Sequence, residues 1–177
     1  IENGETTSEI NKLFRNRIRE ITSNEEIGVI NLSSADERIN TIYEYDYDEY
    51  PDEMLFIKNF DIKQAVNYEL FSFANDSLQS LLGYLIYIGD MNKGIVCFKK
   101  HYAVTMIKRG SFLICKCNER FKKLDADDII RLNSDIGLFK LEDKIFVLDI
   151  NILEKYFGFE ELIRKRASTT IDSIESK

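Results

Sequence analysis

Nine bases stand between Lys93 and Lys123 (Lys93, Lys99, Lys100, Lys108, Arg109, Lys116, Arg120, Lys122 and Lys123), against a single acid, Glu119. The chain as a whole carries a net charge of −7, so this is a local concentration of positive charge on an acidic background. Residues 1–90 hold 7 Lys/Arg against 18 Asp/Glu, and residues 91–177 hold 17 against 13. Such a segment offers a site for anions whatever the net charge. Three pairs fall at turns and strand ends: Lys99-Lys100, Lys108-Arg109 and Lys122-Lys123. If the fold brings them together, phosphate is the natural ligand, because phosphate contacts need only charge and reach. Tyr102, Phe112 and Phe121 are interleaved with them and could stack on unpaired bases. The same residues also fit solvated turns around core aromatics. Arg164-Lys165-Arg166 adds three bases near the end of the chain. Consecutive helical positions fan out by about 100°, so these read as a solvated helix surface.

Other chemistry is thinly represented. Pro51-Asp52 followed by Asp61-Ile62-Lys63 matches the loose pattern of metal-dependent nucleases, in which two carboxylates hold the metal and a lysine supports the attacking water. Here the motif begins in a polar acidic loop, which is the wrong setting. The tract from Glu44 to Glu53 alternates tyrosines with carboxylates and contains no base. It lacks the glycine turn and ligand spacing of an EF-hand, so it reads as a solvated surface loop that repels itself or meets a basic partner. Cys115 and Cys117 share a strand face, but the single histidine, His101, has no partner at zinc-like spacing. The three cysteines read as reduced thiols of a cytoplasmic protein. No glycine-rich phosphate loop, nucleophile elbow or histidine dyad is present. Neither a catalytic residue, nor a metal site, nor a cofactor is expected.

These residues need elements to position them. Ile10, Leu13, Phe14, Ile18 and Ile21 predict an amphipathic helix over 8–23, capped by Ser8. Strands are predicted at 27–32 and 38–45. Runs 81–88 and 95–98 flank a Gly-bounded turn and, being apolar on both faces, read as central strands. Further hairpins are predicted at 111–117 with 120–124, turning at Asn118-Glu119, and at 136–141 with 144–148, turning at Glu142-Asp143. Asn151, with Glu154 three residues on, reads as a capping box, and Gly158 as the stop of that short helix. A last helix follows from Phe159. The fold class is therefore α+β: a mainly antiparallel meander of hairpins with an N-terminal helix and C-terminal helices. The division expected is a sheet domain over 1–150 and a helical segment over 151–177. Leu162, Ile163, Ile171 and Ile174 give that segment an apolar side, expected to meet further sequence or a second copy in a homo-oligomer.

One resemblance rests on particular residues. Gly83-Tyr84-Leu85-Ile86, Val96-Cys97-Phe98-Lys99-Lys100, Met106 to Phe112, Phe121 to Asp125, Ile130-Arg131-Leu132 and Lys144 to Leu148 follow in order, ending with Leu153-Glu154-Lys155-Tyr156-Phe157-Gly158-Phe159-Glu160-Glu161. This series, over roughly 80–165, resembles the KwaB-like family of bacterial proteins, whose namesake is the second component of the Kiwa anti-phage defence system. The resemblance implies a cytoplasmic defence protein that binds DNA, works with a membrane-protein partner and continues beyond Lys177. The family offers no catalytic motif, so it transfers no catalytic residue. The DNA contact set expected from the bases is Lys99, Lys100, Lys108, Arg109, Lys122 and Lys123, acting on the phosphate backbone without regard to sequence.

Overall fold

Strand alternation sorts the apolar residues of this chain onto two sides of one sheet, and helices cover both. The computed structural model describes residues 4–34, 39–68, 76–101, 113–125 and 129–175. In chain order the elements are α1 (Gly4–Ser23), β1 (Gly28–Asn31), β2 (Thr41–Glu44), α2 (Asp52–Lys58), β3 (Gly83–Gly89), β4 (Gly94–Lys100), β5 (Leu113–Cys117), β6 (Arg120–Leu124), β7 (Leu138–Leu141), β8 (Lys144–Val147), α3 (Ile150–Phe157) and α4 (Phe159–Glu175). Short 3-10 turns lie at Leu32–Ser34, Ile62–Asn67 and Leu78–Ser80. Six strands form one sheet in the order β1-β2-β8-β7-β4-β3, and β5 and β6 form a separate two-stranded ribbon. Every pairing is antiparallel except β1 with β2.

The register fixes both sides. Leu85, Phe98, Leu138, Val147 and Tyr43 align in one row across the sheet. They join Met54 and Ile57 of α2 and Ile152, Leu153 and Phe157 of α3 in the larger core. The next row, one residue out of phase, is Ile86, Cys97, Phe139 and Phe146. It faces Phe14 of α1, with Ile10, Leu13 and Ile18 partly buried beside it. The molecule is a three-layer α/β/α arrangement within the α+β class. Leu138, Ile145, Val147 and Leu153 are fully buried at its centre.

Three expectations change. β3 is an edge strand in the described sheet, although its sequence is apolar throughout. Its two faces are partly covered, by α1 on one side and by Phe60 and its neighbours on the other, so lateral pairing is not what its composition reports. The meander is interrupted, because β4 pairs with β7 while β5 and β6 leave as a ribbon. The cap of α3 is Asp149, whose carboxylate accepts from the Asn151 N–H at 3.1 Å, two residues ahead of the expected cap. Gly158 does end α3, at φ 59, the left-handed conformation in which glycine pays no Cβ penalty. A Cβ on Gly137 would meet the terminal methyl of Ile152 on α3, so the bare glycine gives that side chain its place against the sheet.

A candidate nucleic-acid interface

The six bases of the expected site separate into different surroundings. Lys99 and Lys100 are the last two residues of β4, and alternation sends them to opposite sides of the sheet. Lys99 points to the α1 side and is 1% exposed. Its ammonium donates to the Asn133 side-chain oxygen and, at 3.0 Å, to the Asp135 carbonyl. Burial draws its pKa below the ordinary lysine value, and the nearby Asp135 charge partly opposes this. A cavity of about 280 Å³ lies beside it, lined also by Arg17, Leu148 and Asp149. Lys99 therefore ties β4 to the 133–135 segment and presents almost no surface to an external ligand.

Lys100 points to the other side, where its ammonium sits 5.1 Å from the centre of the Tyr156 ring. Lys122 and Lys123 lie on β6 of the ribbon and are exposed. Lys123 also meets Asp125 at 3.1 Å. An exposed pair of this kind holds little free energy against a competing anion. Lys108, Arg109, Tyr102 and Phe112 lie outside the described residues. The two described pairs thus sit on different sheets. Lys116 and Arg120 join Lys122 and Lys123 on the ribbon. The signal for that grouping was period-two alternation around the Asn118-Glu119 turn, where Asn118 takes φ 57.

The remaining candidates have local roles. Asp61 caps the 3-10 turn Ile62–Asn67 by accepting from the Lys63 N–H at 2.9 Å. Asp52 opens α2, and a seven-residue helix of about 10 Å separates the two carboxylates along the chain. Among the described residues no group of three or more His, Cys, Asp or Glu side chains could hold a metal. Cys97 is fully buried, and burial pushes its thiol up to about 12. His101 is buried, with Nδ1 lacking a partner among the described residues, and the Tyr84 hydroxyl is likewise unpartnered. Burial raises the Tyr84 phenol to about 12.

The acidic tract is only half a solvated loop. Tyr45, Tyr47 and Phe159 cluster edge to face, and Tyr50 stacks on Tyr45 at 4.7 Å between centres. This packs the tyrosines inward against the start of α4, while Asp46, Asp48 and Glu49 face water. Burial acts to raise the Asp46 pKa, but hydrogen bonds from the Ser33 hydroxyl and N–H outweigh it and hold the carboxyl below the usual range. Glu44 pairs with Lys144 at 2.7 Å across β2 and β8.

Fold and charge together define an α+β domain with a buried lysine strut and a separate basic β-ribbon. The family described as Kiwa protein KwaB-like matches residues 78–177, and the chain belongs to that family. Kiwa protein KwaB of Escherichia coli O55:H7 (strain RM12579 / EPEC) is 26% identical over 178 residues, an alignment covering 97% of this chain and 55% of that protein. The chain thus spans about half the length of its curated relative, and the similarity reaches well before Leu81. No solved structure matches the chain. No helix among the described residues is long and apolar enough to cross a membrane.

Proposed function

We propose that this chain acts in anti-phage defence as a non-catalytic, cytoplasmic domain that binds the phosphate backbone of DNA without regard to sequence. Membership of the KwaB-like family supports the defence role. The observation that carries the binding reading is the ribbon β5–β6, on which Lys116, Arg120, Lys122 and Lys123 are all exposed. Lys100, Lys108 and Arg109 complete the proposed contact set, and Lys99 supports it from within the fold. The test is binding measured across several salt concentrations. Each neutralised phosphate contributes a log–log slope of about −0.9 on duplex DNA, so contact with five gives about −4 to −5. Lys122→Glu with Lys123→Glu should abolish binding to DNA of any sequence. A flat salt response, or no binding at low salt, would remove this reading.

A second reading is a module for protein partners, including a membrane protein or a second copy. It is favoured by the apolar groove of about 580 Å³ between α2, α3 and β3, lined by Phe56, Phe60, Tyr156 and Phe157. Leu82 at its rim is 71% exposed. Docking there would show weak salt dependence and survive the ribbon charge reversals.

A further inference from the structure

The ribbon has two faces, and its register assigns the residues to them. Lys116 stands opposite Phe121 and Ile114 opposite Lys123, so these four share one face. Directly opposed residues lie about 4.5–5.5 Å apart and diagonal neighbours about 7–8 Å. Phe121 is 71% exposed and Ile114 52% exposed, and both lysines are exposed. A phenylalanine left in water forgoes about 1.5–3 kcal/mol of burial free energy. Here the residue opposite the open ring is a lysine, and another lysine lies two residues along its own strand. None of these four side chains is an amide, hydroxyl or carboxylate that would read a base edge, and the exposed Asp125 carboxylate, 3.1 Å from the Lys123 ammonium, is the anion that a phosphate would displace.

We infer that this face is a stacking platform for single-stranded nucleic acid: an unpaired base lies on the Phe121 ring, and Lys116 and Lys123 hold the phosphates on either side. The inference rests on the proposed backbone-binding function and specifies how one part of that surface works. Every base has a π-face, so a ring flanked by cations binds with little sequence preference. A base inside a duplex has both faces covered by its neighbours, and exposing one costs a few kcal/mol of unstacking. The unpaired strand is therefore the form that suits a single open ring.

The 177-residue chain has no tryptophan, so Phe121→Trp places a lone reporter on the platform. Wild type, Phe121→Trp, Phe121→Ala and the Lys122→Glu/Lys123→Glu variant are titrated with a mixed-sequence single-stranded oligonucleotide and with a hairpin duplex of similar composition. Phe121→Trp should bind like wild type, with its emission quenched by the single strand. Phe121→Ala should lose about 5- to 150-fold in single-strand affinity, the equivalent of one stacked base. Its duplex affinity, salt slope and melting temperature should be unchanged. If Phe121→Ala binds the single strand like wild type while the double lysine variant fails, the platform is wrong and backbone binding stands. Equal losses on single strand and duplex would also sink the platform. An unquenched, blue-shifted Phe121→Trp together with a less stable Phe121→Ala would mean that the ring is covered in solution, which overturns the inference. If wild type binds neither oligonucleotide, the proposed function itself falls.

Discussion

Replacing Lys99 separates two roles that its place in the sequence confuses. Lys99→Met keeps most of the aliphatic stem and removes the ammonium. Two hydrogen bonds from a charged donor are lost, to Asn133 and to the Asp135 carbonyl, at roughly 1.5–3 kcal/mol each. Against this, the substitution no longer takes an ammonium out of water, which returns several kcal/mol. The two bonds are together worth roughly 3–6 kcal/mol and the relief of desolvation offsets part of it, which leaves a net loss of about 2 kcal/mol; Asp135 is exposed and Asn133 half-buried, so water can take the place of the lost donor. Lys99→Ala also removes about three buried methylenes, at about 0.8 kcal/mol each. It should therefore lose about 4–5 kcal/mol in total, including the space left behind. For a chain of 177 residues, 2 kcal/mol corresponds to roughly 5 °C in melting temperature. Urea and thermal unfolding of the three proteins should rank wild type above Lys99→Met above Lys99→Ala, in steps of about that size. DNA affinity of the folded Lys99→Met protein should equal that of wild type, since the ammonium is buried. Unchanged stability with weakened DNA binding and a salt slope shallower by about 0.9 would refute the strut and make Lys99 a phosphate ligand.

The Tyr84 phenol is raised from 10.0 to about 12 and the Cys97 thiol from 9.0 to about 12, both by burial. Stability from their neutral forms is fully present below about pH 9 and is lost as pH rises towards 12. Tyr84→Phe should shrink the loss above pH 10 and, by removing an unpartnered hydroxyl, leave neutral-pH stability unchanged or higher by up to about 1 kcal/mol, measured by urea unfolding across pH. Asp149→Ala removes the α3 cap and should cost about 1 kcal/mol, whereas Asn151→Ala should cost less because the Asn151 side chain is not the cap. Asp52→Ala and Asp61→Ala should leave DNA binding and any activity intact. A magnesium-dependent DNA cleavage lost in either folded variant would revive the nuclease motif.

Periodicity was enough to find nearly every element. Ile10, Leu13, Phe14, Ile18 and Ile21 announce α1, and the turns at Asn118-Glu119 and Glu142-Asp143 place two hairpins, because local backbone preference and a period of two or 3.6 are properties of short segments. Family membership was also legible, carried by hydrophobic spacing through the Phe157-Gly158-Phe159 junction. Pairing was not. Nothing within β3 distinguishes an edge strand half-buried on both faces from a central one, and nothing in β5 or β6 says that they leave the sheet. Lys99 and Lys100 look alike in the chain, yet one residue of strand alternation buries the first against Asn133 and leaves the second beside Tyr156. The tyrosines of the acidic tract likewise turn inward because the fold brings the main core and Phe159 of α4 to them. Burial and partner choice depend on contacts between segments far apart in sequence, so composition located the basic region while the tertiary structure decided which of its bases face water.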